Sequence, residues 1–179
     1  MNTSTTSQYL AALRRTCLLA ACFACGAANA HIALDQPTAA AGSTYKAVLR
    51  VGHGCDGTAT TGLAVRIPAG FKGAKPQPKP GWTLAVRREK LAATEEVVEI
   101  RWTAASRESA LPDSQFDEFA LAGRLPEQAG PLWFKVTQTC ESGQIDWSQV
   151  PAEGTATKGL KQPAVLLEVT PAGHEHHSH

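Results

Sequence analysis

Tyr45-Lys46-Ala47-Val48-Leu49-Arg50-Val51 sets Tyr45, Ala47, Leu49 and Val51 on one side of an extended chain, with Lys46 and Arg50 on the other. Side chains of a strand alternate between its two faces, so this period of two marks a strand with one buried face. Leu63, Val65 and Ile67 repeat the pattern and stop at Pro68. Further strands are expected over residues 82–87, 95–103, 115–121, 132–139 and 164–170, where β-branched and aromatic residues alternate with polar ones between Gly and Pro punctuation. No stretch carries a sustained helical period bounded by caps. Residues 104–110 can form one short helical turn, limited by Pro112. Seven or eight short strands joined by turn signals predict a single all-β domain, an antiparallel β-sandwich. Gly73-Ala74-Lys75-Pro76-Gln77-Pro78-Lys79-Pro80-Gly81 reads as a proline-rich connection inside that domain, because neither side could bury a core alone.

Upstream of the sandwich, residues 1–30 contain no Asp or Glu, carry Arg14 and Arg15, then run apolar from Cys17 to Ala24 and finish Ala28-Asn29-Ala30. A basic region, an apolar run of about ten residues and an A-x-A site are the layout of a secretory signal peptide. The apolar run is too short to cross a bilayer, which takes roughly twenty residues. Cys25 as a lipid-modified cysteine and Arg14-Arg15 as a twin-arginine signal both fit their surroundings less well. Cleavage is therefore expected after Ala30, giving a periplasmic or secreted protein that starts at His31 and has no membrane insertion of its own.

Loss of the signal moves the formal charge from +1 to about −1. Nothing in that balance recruits nucleic acid or an anionic membrane. About 150 residues remain, enough for one core. Cys17, Cys22 and Cys25 leave with the signal, so Cys55 and Cys140 stay as an even pair in an oxidising setting and are expected to form one disulfide. A copper(I) or redox site on these two cysteines is the sharper alternative, but it lacks a C-x-x-C spacing.

A histidine at a mature N-terminus carries an α-amino group and an imidazole Nδ1 that can chelate one metal ion. The amine has a reference pKa of about 7.7 to 8, so a modest metal-induced shift deprotonates it near neutral pH. Planar nitrogen donors suit copper(II). His53, between Gly52 and Gly54 and next but one to Cys55, is either a second ligand on a loop pinned by the disulfide or a structural histidine in a turn. Asp117 and Glu118 lie on one expected strand, so one of them shares a face with apolar neighbours and needs a partner, which a metal, lysine or arginine would supply. Glu118 is the stronger candidate ligand. Asp35 falls on the His31 face by period two, either steadying it or facing solvent. The last nine residues, 171–179, read as a disordered tail in which His174, His176, His177 and His179 form a looser secondary metal tract. Trp82, Trp102, Trp133 and Trp147 all read as ordinary core aromatics from their surroundings alone.

Taken together, His31-Ile32-Ala33-Leu34-Asp35-Gln36-Pro37, the segment from Tyr45 through Gly52-His53-Gly54-Cys55-Asp56-Gly57, Lys75-Pro76-Gln77-Pro78-Lys79-Pro80-Gly81-Trp82, Phe116-Asp117-Glu118-Phe119 and the Trp147 segment resemble the YcnI-like copper-binding family of exported bacterial domains. The resemblance runs in order over roughly residues 30–151. It implies a β-sandwich that holds copper(II) in a mono-histidine brace, the amine plus imidazole of His31, with Trp147 beside the metal. Members outside this branch carry an acidic residue near the Gly52–Asp56 stretch, so His53 or Asp56 is implied as a further donor. A protonated indole nitrogen is a poor ligand, and Trp147 is expected to shield the metal.

Three functions follow. The first is a non-catalytic copper protein of acquisition, storage or delivery, passing the ion to a membrane transporter or another periplasmic chaperone. The second is a copper-dependent oxidative enzyme, since histidine braces also occur in polysaccharide-cleaving enzymes that use a second histidine. The third is an adhesion or interaction sandwich with no metal. No nucleophile elbow, phosphate loop, H-E-x-x-H or paired carboxylates argue for hydrolysis.

Overall fold

Eleven strands form two packed sheets in the computed structural model, which describes residues 31–91 and 93–173. Residues 1–30, expected to be a signal peptide, and the tail histidines His174, His176, His177 and His179 lie outside the described residues. The strands are β1 (Ala33–Leu34), β2 (Thr38–Ala40), β3 (Thr44–Val51), β4 (Thr60–Arg66), β5 (Lys72–Pro76), β6 (Trp82–Leu91), β7 (Thr94–Ala104), β8 (Asp117–Arg124), β9 (Gly130–Cys140), β10 (Gln144–Trp147) and β11 (Val165–Thr170). The smaller sheet runs β1-β3-β8-β5 and the larger β2-β11-β9-β4-β7-β6, with β10 also paired to β9. Every pairing is antiparallel except β2 with β11.

The period of two in β3 is realised as expected: Tyr45, Ala47, Leu49 and Val51 are buried, and Phe119 and Leu121 of β8 continue that inner face across the smaller sheet. Opposite them stand Leu63, Val65, Ile100, Trp102, Phe134, Val136 and Leu167 from the larger sheet. Trp102 meets Phe119 edge-on at 5.8 Å between ring centroids, and Phe71 meets Phe134 at 5.6 Å. Each large side chain removed from water here contributes roughly 1.5–3 kcal/mol, which is why the alternation holds through both sheets.

Two expectations are corrected in detail. The proline-rich stretch 73–81 is not wholly a connection, because its first residues belong to β5, which pairs with β8 through an irregular register. Proline is tolerated there because β5 is an edge strand. The remainder straps across the sandwich: Lys79 reaches Asp117 at 2.7 Å and lies 4.9 Å above the Phe119 ring, while Trp102 Nε1 donates to the Gln77 carbonyl at 3.0 Å. The helical turn expected over 104–110 is a single 3-10 turn at Arg107–Ser109.

The expected disulfide is formed between Cys55 and Cys140, 85 residues apart. Replacing both cysteines by alanine is expected to lower unfolding stability by about 4 kcal/mol in urea titrations, the loop-closure entropy returned to the unfolded chain.

Tyr45 ties β3 to the chain entering it, its hydroxyl donating to the Gln36 carbonyl. Burial, and secondarily the negative charge of Asp35, push its pKa from 10.0 up to about 12. A raised folded-state pKa favours the protonated form, so this contribution is complete below pH 10 and is lost as the pH climbs through 12. Alkaline denaturation curves of Tyr45→Phe should fall less steeply across that window than those of the unaltered protein.

Candidate functional site

Trp147 is the fixed point of the site. It closes β10 opposite Val136 of β9, so its side chain takes the inner face and is only 4% exposed. Its indole N–H donates to Gln138 Oε1 at 3.0 Å. Two imidazoles stand edge-on to this ring: His31 at 5.5 Å between centroids and 80° between planes, and His53 at 6.4 Å and 76°. The first residue of the domain and a loop residue more than twenty positions later are thus gathered on one tryptophan.

His53 follows β3 and is held from several sides. Its carbonyl accepts a hydrogen bond from Gln138 Nε2 at 2.7 Å. Its ring Nδ1 lies against the Gly54 carbonyl. Gly54 donates its N–H to Asp113 Oδ1 at 2.9 Å. Cys55 and Thr58 then exchange backbone hydrogen bonds of 3.2 and 2.9 Å around Asp56-Gly57, both at positive φ (47° and 80°). This is a two-residue turn of type I′, and Asp-Gly is the dipeptide it favours. The disulfide to Cys140 anchors the turn to the end of β9.

Gln138 is the residue that sequence reasoning missed. It occupies the inner face of β9 in line with Leu132, Phe134 and Val136, and is fully buried. A second bond from its Nε2 runs to Thr60 Oγ1 at 2.8 Å, also fully buried. Among the described residues, no buried side-chain nitrogen or oxygen lacks a partner. The signal was present: in Leu132-Trp133-Phe134-Lys135-Val136-Thr137-Gln138 the alternation puts a glutamine where an apolar residue belongs.

The carboxylates expected near the site are otherwise engaged. Asp35 is half-exposed and 3.9 Å from Arg50. Asp56 is exposed in the turn, where its tolerance of positive φ is the property used. On β8 it is Asp117, rather than Glu118, that shares the face of Phe119 and Leu121, and Lys79 is its partner. Glu118 is exposed and sits across from Arg50. Among the described residues no three or more His, Cys, Asp or Glu side chains converge as a metal-binding group. What the geometry brings together is His31, His53 and Trp147.

Residues 31–169 match the family model described as "Domain of unknown function (DUF1775)". The chain belongs to that family. An uncharacterized protein from Nocardia farcinica, whose crystal structure reveals an immunoglobulin-like fold, is similar to this DUF1775 domain with a TM-score of 0.66 and 28% sequence identity, over 78% of this chain and 98% of that one. A type II cohesin domain from the cellulosome of Acetivibrio cellulolyticus aligns over 78% of this chain and 94% of its own, with a TM-score of 0.38 and 11% identity. No curated protein matches. The DUF1775 domain is an immunoglobulin-like β-sandwich with one disulfide.

A Cβ at Gly54 would fall 1.8 Å from the Thr58 carbonyl oxygen, whereas one at Gly52 would meet nothing within 4 Å. Gly54→Ala should therefore cost about 2–4 kcal/mol in chemical denaturation, and Gly52→Ala no more than about 0.5 kcal/mol.

Proposed function

We propose that this domain is an exported, non-catalytic copper(II)-binding protein of copper homeostasis, whose site is completed when the signal is removed after Ala30. The observation that carries the reading is the pair of imidazoles, His31 and His53, set against one buried indole. His31 is also the residue to which the expected cleavage gives a free amine, and the family match begins at that position. The YcnI-like resemblance points to this same family.

The donor chemistry fits copper(II). The His31 amine and imidazole would form the chelate, and the His53 imidazole would add a third nitrogen, an arrangement that suits copper(II) above other first-row divalent ions. Trp147, its N–H committed to Gln138, would wall one side of the ion without ligating it. The chain's single methionine is Met1, and both cysteines of the domain are in the disulfide, so the site offers none of the soft donors that copper(I) prefers. One-electron reduction to copper(I) by an external reductant would then loosen the ion and release it to a periplasmic chaperone or a membrane transporter. The tail histidines His174, His176, His177 and His179 would supply a second, weaker site that captures copper from solution.

The test uses the chain beginning at His31 and the same chain with one added N-terminal alanine, both with the four tail histidines replaced by alanine. Copper(II) titration followed by electron paramagnetic resonance should show tight binding by the first and its loss in the second. Equal binding by both would remove the amine from the site and with it the brace. Copper(I) affinity comparable to that for copper(II) would contradict release by reduction.

A further inference from the structure

We propose that Gln138 is the positioning residue of this site, holding Trp147 so that its ring, and not its nitrogen, meets the two histidines. The proposal rests on the copper reading above and specifies how the wall beside the ion is kept in place. One side-chain amide makes both of the contacts that matter: Oε1 takes the indole N–H of Trp147 at 3.0 Å, and Nε2 donates to the backbone carbonyl of His53 at 2.7 Å. The ring on which both imidazoles stand and the backbone of one of them are therefore fixed relative to each other by the same planar group. The amide cannot turn over, since its reversal would set Oε1 against the His53 carbonyl and Nε2 against the Trp147 N–H, and a third contact, Nε2 to Thr60 Oγ1 at 2.8 Å, takes up its remaining hydrogen.

The alternative for a residue in this position is plain packing. A leucine would fill the inner face of β9 as Val136 and Phe134 do, and would avoid burying an amide. A glutamine with all of these bonds satisfied restricts its neighbours in a way that leucine cannot. Without it the indole would be free to rotate toward other partners, and the side of the ion it covers would open to water. Groups that orient ligands from behind typically change metal affinity by about 10- to 100-fold when removed.

The experiment compares the unaltered protein with Gln138→Leu and Gln138→Asn, each beginning at His31, with the four tail histidines replaced by alanine and copper(II) as the added metal. Two readouts are used: the indole N–H resonance that Trp147→Phe removes, observed without metal, and the copper(II) affinity and paramagnetic spectrum. Gln138→Leu should lose the exchange protection of the Trp147 N–H, weaken copper(II) binding by about 10- to 100-fold and shift the spectrum. If Gln138→Leu does not fold, Gln138→Asn, polar but one methylene short of spanning both partners, is read the same way.

A lower melting temperature with unchanged copper affinity and spectrum would show a packing role only and overturn the proposal, leaving the copper reading intact. An unaltered protein that takes up no copper(II) would overturn both.

Discussion

Gln138 lies wholly between the sheets, where each polar atom left without a partner would cost about 1–3 kcal/mol. That penalty dictates the surroundings. Trp147 must present its N–H, the His53 carbonyl must turn inward, and Thr60 must bury its hydroxyl against the same amide. Two regions far apart in sequence, residues 53–60 and 138–147, are thereby locked together. The disulfide fixes the same corner covalently, Cys55 following His53 and Cys140 following Gln138 at the same interval.

The architecture was legible wherever burial on one face imposed a period of two. Tyr45 to Val51, Leu63 and Val65, and the β9 alternation all declared themselves, because a shift of one residue would have turned the apolar set outward. The strands that stayed hidden are those with little of their own to bury. β2 is Thr38-Ala39-Ala40, and β5 carries Gly73 and Pro76. They form because neighbours offer unpaired backbone, which no local pattern announces. β10 is short too, and its Trp147 looked like any core aromatic.

The site was legible in part, for a similar reason. His31 and His53 drew attention as chemistry-bearing residues, and the structure brings both to Trp147. Asp56 drew attention as a carboxylate, yet its work lies in the backbone of an Asp-Gly turn. Asp117 and Glu118 could be placed on a strand but not assigned to faces until the register with Val51 and Arg50 was known. Gln138 escaped notice because a glutamine has no titration, redox or metal chemistry of its own. Its importance comes from where it is buried.

A domain of this kind separates holding from binding. The sheets, the disulfide and the buried amide hold one tryptophan still, and the groups that would bind are the two imidazoles arranged around it. An N-terminal residue is normally the most mobile part of a chain, so a site built on one needs such a rigid backstop. The most direct measurement of this arrangement is a crystal structure of the chain beginning at His31 grown with copper(II), with the ion located by anomalous scattering at the copper edge. The result expected is a single strong peak bonded to the His31 amine and imidazole beside the Trp147 ring. A peak elsewhere on the domain, with His31 unbound, would contradict it.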